Sequence, residues 1–361
     1  MDSTLRKFPL AKLTDVPKKI VYEKIHFARI FEMANASEKL FNDIKNMKFR
    51  IEVSVYAGKD WNVSCNWAGH CVTPHFGFMF KKTPEDDEYI EDEEEVSAET
   101  PDTRIRKMGT LEVLGRELKG MTPKWLFHVD DPMECSSQLL AHIKHLFQAE
   151  KPSFHVHSDH IDDLTRLQSF PVTFNCDSVF IFFDINQNDL IPNNLRRSKI
   201  TQILAMKEWK KAWIYSFDMP DSFEYNEPIC IEDLGIIGVW LKPRHLRNWT
   251  FKSGSFSDVS FGTEDFAEVT NDLKTGNLPT TQFIEIILEN CDLDLEEFIK
   301  LTAANETDES KKEEADNVRT FSVDRNDGSM LIFKISPTVF AVGSPDAANW
   351  VKLDLDPDLG P

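Results

Sequence analysis

Histidines and carboxylates gather in two short stretches of this chain. His155, His157 and His160 lie with Asp159, and His128 precedes Asp130 and Asp131, so either stretch has the side chains for a metal site or for acid–base work. Cys65, His70, Cys71 and His75 form a third set, all of them zinc-competent. Spacing weakens each reading. His70 and Cys71 are adjacent, whereas the commoner structural zinc sites use separated pairs, and Cys65 falls in phase with Trp61, Val63 and Trp67, which points it into a core. Asp159 can cap a helix, and the surrounding sequence suggests no activated nucleophile. Nucleotide chemistry lacks its glycine-rich loop, and 14 glycines in 361 residues is below the average of ~7%. The residues therefore point to no catalytic group, no metal and no cofactor. A metal-dependent hydrolase built on the histidines is the third reading, and stoichiometric zinc would be its mark.

Composition narrows the classes further. The formal charge of −20 argues against a nucleic-acid binder, whose affinity comes from Lys and Arg on phosphates. The basic group Arg196, Arg197, Lys199, Lys207, Lys210 and Lys211 is local and reads as a solvated helix face. No segment approaches the ~20 apolar residues of a membrane span, and Met1 to Lys7 carries no signal-peptide core. Six cysteines, at 65, 71, 135, 176, 230 and 291, are scattered without a paired framework. They are expected as reduced thiols of an intracellular protein, cytoplasmic or nuclear.

The elements that position these residues follow from periodicity. After Lys48 the pattern alternates: Phe49, Ile51, Val53 and Val55, then Trp61, Val63, Cys65 and Trp67, with Gly58-Lys59-Asp60 as the turn, then Phe76, Phe78 and Phe80. Residues 83–102 are an acidic loop whose like charges favour an extended chain. From about residue 150, short strands alternate with helices. Strands are expected near 154, 179, 212, 247 and 283, with Ile229 to Ile237 inside a helical crossover. That recurrence suggests a leucine-rich-repeat-like curved sheet with helices on one side, and an ordinary open α/β sheet is the alternative. Asn326-Asp327-Gly328 reads as a hairpin turn of the primed kind. Asn305 to Asn317 reads as a surface loop, and 344–361 as a flexible tail.

The N-terminus has helical spacing instead. Leu10, Leu13 and Val16 precede Pro17, and Ile20, Val21 and Ile25 continue the face. Ile30-Phe31 and Met33-Ala34 form a second segment, and Ser37 can cap a third helix with Leu40, Phe41, Ile44 and Met47. Three helices in so short a stretch bury little, because units below ~40 residues usually need a metal, disulfides or a partner.

Phe8-Pro9-Leu10, followed by Leu13 and this helical order, resembles the F-box of nematode F-box proteins that carry a type 2 F-box-associated domain. Thr14 stands where that family has proline after leucine, and His26-Phe27-Ala28 replaces its acidic-proline turn. The resemblance extends through Trp240-Leu241, Leu246-Arg247-Asn248-Trp249, Phe256-Ser257-Asp258-Val259, Asp272-Leu273-Lys274 and Thr275-Gly276-Asn277-Leu278-Pro279 to the hairpin around Arg325-Asn326-Asp327-Gly328. The resemblance, taken with the alternation and composition above, implies a mixed α/β (α+β) protein in four parts. These are an F-box-like three-helix module (1–48), a small antiparallel β region (49–149), an F-box-associated, substrate-binding repeat-like domain (150–343) and the tail. It also implies a non-enzymatic adaptor of a Skp-cullin-F-box ubiquitin ligase, with a protein target as its other partner. Phe8, Pro9, Leu10, Leu13, Val16, Pro17, Ile20, Val21, Ile25, Ile30 and Phe31 would contact the Skp-type adaptor. A ligase-independent interaction module with a degenerate F-box is the runner-up.

Overall fold

The structure, a computed structural model, describes residues 27–67, 76–82, 103–108, 111–118, 124–161, 163–183, 192–216, 219–289, 291–307 and 318–345. It is a mixed α/β protein whose chain divides into two compact units, 1–155 with 173–176 and 156–172 with 177–361. Among the described residues no helix is long and apolar enough to cross a membrane.

The first unit begins with α1 (Phe27–Ala36) and α2 (Glu38–Asn46). Ser37 precedes α2 in extended conformation as the sequence suggests, although its side chain makes no capping bond. Strands β1 (Arg50–Ala57), β2 (Trp61–Trp67) and β3 (Phe76–Lys81) follow, then β4 (Thr103–Met108), β5 (Leu111–Leu118), β6 (Lys124–His128), α3 (Pro132–Leu146) and the short β7 (Gln148–Ala149). Pairing sets the spatial order β4-β5-β6-β3-β2-β1-β7, antiparallel except where β3 meets β6 and β1 meets β7. The alternation seen in the sequence is the burial pattern. Ile51, Val53, Val55, Val63 and Cys65 are each at most 3% exposed. α3 starts at Asp131, which accepts a hydrogen bond from the Glu134 amide at 3.1 Å, with Pro132 in the first turn.

Phe31 of α1 is fully buried. Its ring meets Phe78 at 5.1 Å, Trp125 at 6.1 Å and His142 at 5.5 Å, each edge-on. Ile30 is also 0% exposed. The boundary expected at residue 48 is therefore not a break in packing, because α1 supplies part of the core that β3, β6 and α3 share.

The chain leaves the first unit along β8 (Ser153–His157), and after α4 (Ser169–Thr173) residues 173–176 belong to that unit again. The second unit is built on β9 (Ser178–Phe182), α5 (Asn193–Leu204), β10 (Lys211–Tyr215), β11 (Asp233–Ile237), α6 (Pro243–Leu246), β12 (Ser253–Ser257), α7 (Thr263–Thr275) and β13 (Phe283–Ile287). α8 (Leu295–Thr302), β14 (Asn305–Glu306), β15 (Arg319–Asp324), β16 (Met330–Ile335) and β17 (Val339–Gly343) complete it. Strands β9 to β13 pair in chain order, all parallel and in step, so Ser178, Lys211, Asp233, Ser253 and Phe283 form one row across the sheet. Beyond β13 the sheet turns antiparallel through β17, β16, β15 and β14.

Two inward rows carry the core. Ile181, Ile214, Ile236, Phe256 and Ile286 are all 0% exposed, and so are Val179, Ala212 and Ile284 in the row before. Phe266 of α7 and Phe298 of α8 pack on Phe340 at 4.8 and 5.6 Å.

Several expectations give way here. The strand expected near 247 is the helix α6, started by Pro243 and closed at its first turn by the His245 ring, which accepts from the Lys242 amide at 3.1 Å. The strand lies later, at Ser253–Ser257, where Phe256 is the one large apolar residue. Ile229 to Ile237 contains strand β11 in place of a helix, since a central parallel strand carries a short apolar run that periodicity cannot tell from a buried helix. The 326–328 turn is not primed: among its residues only Gly328 has a positive φ, and the Arg325 amide bonds Ser329 O across a five-residue loop. Asn305 and Glu306 pair with β15 and do not form a loop. The acidic loop 83–102, residues 308–317 and Trp350 to Leu355 lie outside the described residues.

The segments that carried the family resemblance meet in a half-buried ion pair. Arg247 Nε donates to Asp272 Oδ2 at 2.6 Å and Asn277 Nδ2 to Asp272 Oδ1 at 2.9 Å, while Asp272 is 4% exposed. Gly276, at φ +82, supplies the left-handed residue that ends α7 and brings Asn277 back.

Candidate functional site

Strands in step expose an organised outer face. Three residues of each strand point away from the core, and on β9 and β10 the last two of these are aromatic: Phe180 and Phe182, then Trp213 and Tyr215, all half-buried. Tyr215 stacks on Phe182 at 4.5 Å and 17°, and Phe182 on His157 at 4.8 Å and 12°. Toward β13 the face mixes polar groups with the half-buried Ile237, Phe283 and Ile287. Lys211 pairs with Asp233 at 3.5 Å, Ser253 donates to Asp233 at 2.6 Å, and Ser255 donates to Glu285 at 3.3 Å. Trp213 bridges the two halves, because Gly235 beside it has no side chain.

The chemistry-bearing clusters of the sequence end elsewhere. His155 bonds Ser153 Oγ at 2.9 Å and lies against the Tyr56 ring at 4.3 Å, whereas His157 is in the aromatic stack and His160 is exposed. Each histidine thus has its own neighbours. His128, Asp130 and Asp131 line a shallow cleft of ≈ 470 Å³ with Lys82 and Cys135. Burial, then the Asp131, Glu134 and Asp130 carboxylates, push the Cys135 thiol up, so it is a poor source of thiolate. Cys65 is 1% exposed, and burial raises its pKa too. His70, Cys71 and His75 lie outside the described residues. Among those described, no three His, Cys, Asp or Glu side chains are placed to hold a metal ion.

Two of the six residues of the basic group are not on a solvated face, while Lys210 and Lys211 are exposed. Arg196 is 4% and Lys199 6% exposed. The Lys199 ammonium donates to the Ser158 carbonyl, and the Arg196 guanidinium lies 6.0 Å from the Phe183 ring centre, so both cations serve packing. Of the expected adaptor contacts, Phe8, Pro9, Leu10, Leu13, Val16, Pro17, Ile20, Val21 and Ile25 lie outside the described residues. Ile30 and Phe31 are core residues, which corrects their assignment as contacts.

Behind the face sits a histidine that titrates with folding. His245 is 0% exposed. Its Nδ1 accepts from the Lys242 amide, so its Nε2 carries the proton toward Glu224 Oε2 at 2.8 Å. Burial lowers its pKa, outweighing Glu224, and burial with His145 nearby lowers that of His142 in the first unit. Unfolded, both take up a proton near pH ~6.5. Their contribution to stability is therefore complete above that pH and is lost as pH falls through the folded values. The thermal midpoint is expected to drop from pH 7 to 5 in low salt, and more shallowly in His142→Gln. Identical slopes would remove His142 from the account.

The aromatic face could not be read from sequence, because its rows join strands 20 to 33 residues apart. The one signal was that Phe180, Phe182, Trp213 and Tyr215 alternate with inward aliphatics.

The chain matches no model of a known protein family, no curated protein and no solved structure.

Proposed function

We propose that this chain is a protein-binding adaptor. Its in-step parallel strands act as a leucine-rich-repeat-like array whose outer face takes a protein target. Its N-terminal segment docks a Skp-type adaptor and, through it, the cullin of a ubiquitin ligase. The outer face is the observation that carries this reading. Aromatic rings half-open to solvent are the side chains that dominate the energetic centres of protein interfaces, and the hydroxyls and carboxylates beside them suit a polar rim. Such an adaptor works by proximity: it raises the effective concentration of a lysine-bearing target at a charged conjugating enzyme and needs no catalytic residue.

The ligase-independent module is the second reading, favoured by Ile30 and Phe31. Their burial takes two apolar residues of the F-box-like segment away from any adaptor.

Co-expression with a Skp adaptor separates the two. The full chain is expected to co-elute stoichiometrically on size exclusion, and Leu13→Asp to abolish co-elution while leaving the thermal midpoint unchanged. The matching truncation removes residues 1–25, since removing 1–48 would strip α1 from the first unit's core. Co-elution that survives Leu13→Asp counts against the adaptor half, and absence of co-elution by the full chain leaves the free module.

A further inference from the structure

We propose that Trp213 and Glu285 together take an arginine side chain presented by an extended segment of the target. This inference rests on the reading of the sheet face as the target-binding surface.

The geometry begins at Gly235. A Cβ built there would lie 2.2 Å from both Cδ2 and Cε3 of Trp213 and 2.6 Å from Cε2. Near-equal distances to three atoms of one ring, all this short, place that point over the ring's face and not off its edge. The indole therefore lies flat on the Gly235 backbone, with its opposite face turned away from the strand. Its ring neighbour is Tyr215, at 6.3 Å and 31°, and among the described residues no cation lies over it.

Register supplies the second group. Trp213, Gly235, Ser255 and Glu285 occupy one row across β10 to β13. With the indole lying over β11, Glu285 is about two strand spacings further on, ~10 Å. Glu285 accepts from Ser255 Oγ and has no ion pair among the described residues, whereas Asp233 on the same face is matched by Lys211.

A half-buried indole with no described cation over it and a carboxylate with no described ion pair, along one line, suit a planar cation. A guanidinium stacks on the ring and forks to a carboxylate, and lysine has no fork to offer. The charge of −20 draws a basic segment in and repels an acidic one. It also disfavours a nucleic-acid strand, which needs a basic groove beside its stacking platform.

The test uses the full chain and three labelled Gly/Ser-spaced peptides, read by fluorescence anisotropy. The first carries three arginines, the second citrulline at the same positions, and the third phenylalanine. The arginine peptide is expected to bind at least ten-fold more tightly than the citrulline peptide. Trp213→Ala, which leaves net charge unchanged, is expected to weaken it at least ten-fold, Gly235→Ala to do the same by displacing the indole, and Trp213→Phe to restore part of the binding. Glu285→Gln, which keeps the side chain's size and removes its charge, should weaken it about five-fold.

Equal binding of the arginine and citrulline peptides, or arginine binding indifferent to Trp213→Ala, overturns the proposal, since only general charge attraction would remain. If the phenylalanine peptide alone binds and loses affinity in Trp213→Ala, the arginine inference fails and the face stands as a binding surface. If no peptide binds, both fail.

Discussion

Trp240→Ala is expected to lower the thermal midpoint of the second unit by roughly 10 °C, corresponding to about 3–5 kcal/mol. Trp240 is 0% exposed and sits among Phe223 at 5.1 Å, His245 at 5.6 Å and Trp249 at 6.2 Å. Its Nε1 donates to Ser216 Oγ at 2.6 Å, and that hydroxyl donates on to Ile237 O at 2.8 Å, at the end of β11. Alanine therefore leaves a cavity and strips a donor from a serine that is itself 0% exposed. A buried group deprived of its partner adds ~1–3 kcal/mol of cost. Trp240→Phe keeps most of the volume and loses only the N–H, so it should cost about that second amount alone. Both are measured by thermal and urea unfolding. An alanine variant within 2 °C of the parent would show that the cluster is not the unit's core.

Phe31→Ala is the second large effect, at about 3–5 kcal/mol for removal of a fully buried aromatic, and it contrasts with Leu13→Asp. Phe31 is enclosed by Phe78, Trp125 and His142, so its loss opens the joint between α1, the sheet and α3. The expected result is a lower urea midpoint for the first unit with adaptor co-elution retained at low temperature. Leu13→Asp should show the reverse, with stability retained and co-elution lost. If Phe31→Ala abolishes co-elution without lowering the midpoint, Phe31 belongs to the docking surface after all.

The elements legible in advance are those whose own residues carry the period. β1, β2 and β3 alternate cleanly, and α5, α7 and α8 repeat apolar residues at helical spacing, so both appear where expected. β11 and β12 were misplaced because Gly235 and the serines of Ser253-Gly254-Ser255 hide the alternation. Their extended conformation comes from hydrogen bonds to β10 and β13 and not from local preference. The basic cluster misled for a related reason. A charged residue on α5 looks solvent-facing in one dimension, and its burial depends on Ser158 and Phe183, which lie in other segments.

Residue types and spacing thus sufficed for a mixed α/β chain and for the inward faces of its regular elements. Both follow from local period, which a linear chain carries in full. Pairing between distant strands was needed to align Phe180, Trp213, Ser255 and Glu285 in one row, to lay the indole on Gly235 and to bring Asp272 to Arg247. Those arrangements depend on which strand lies beside which. That choice comes from burying the whole unit's apolar surface at once, and no single segment encodes it.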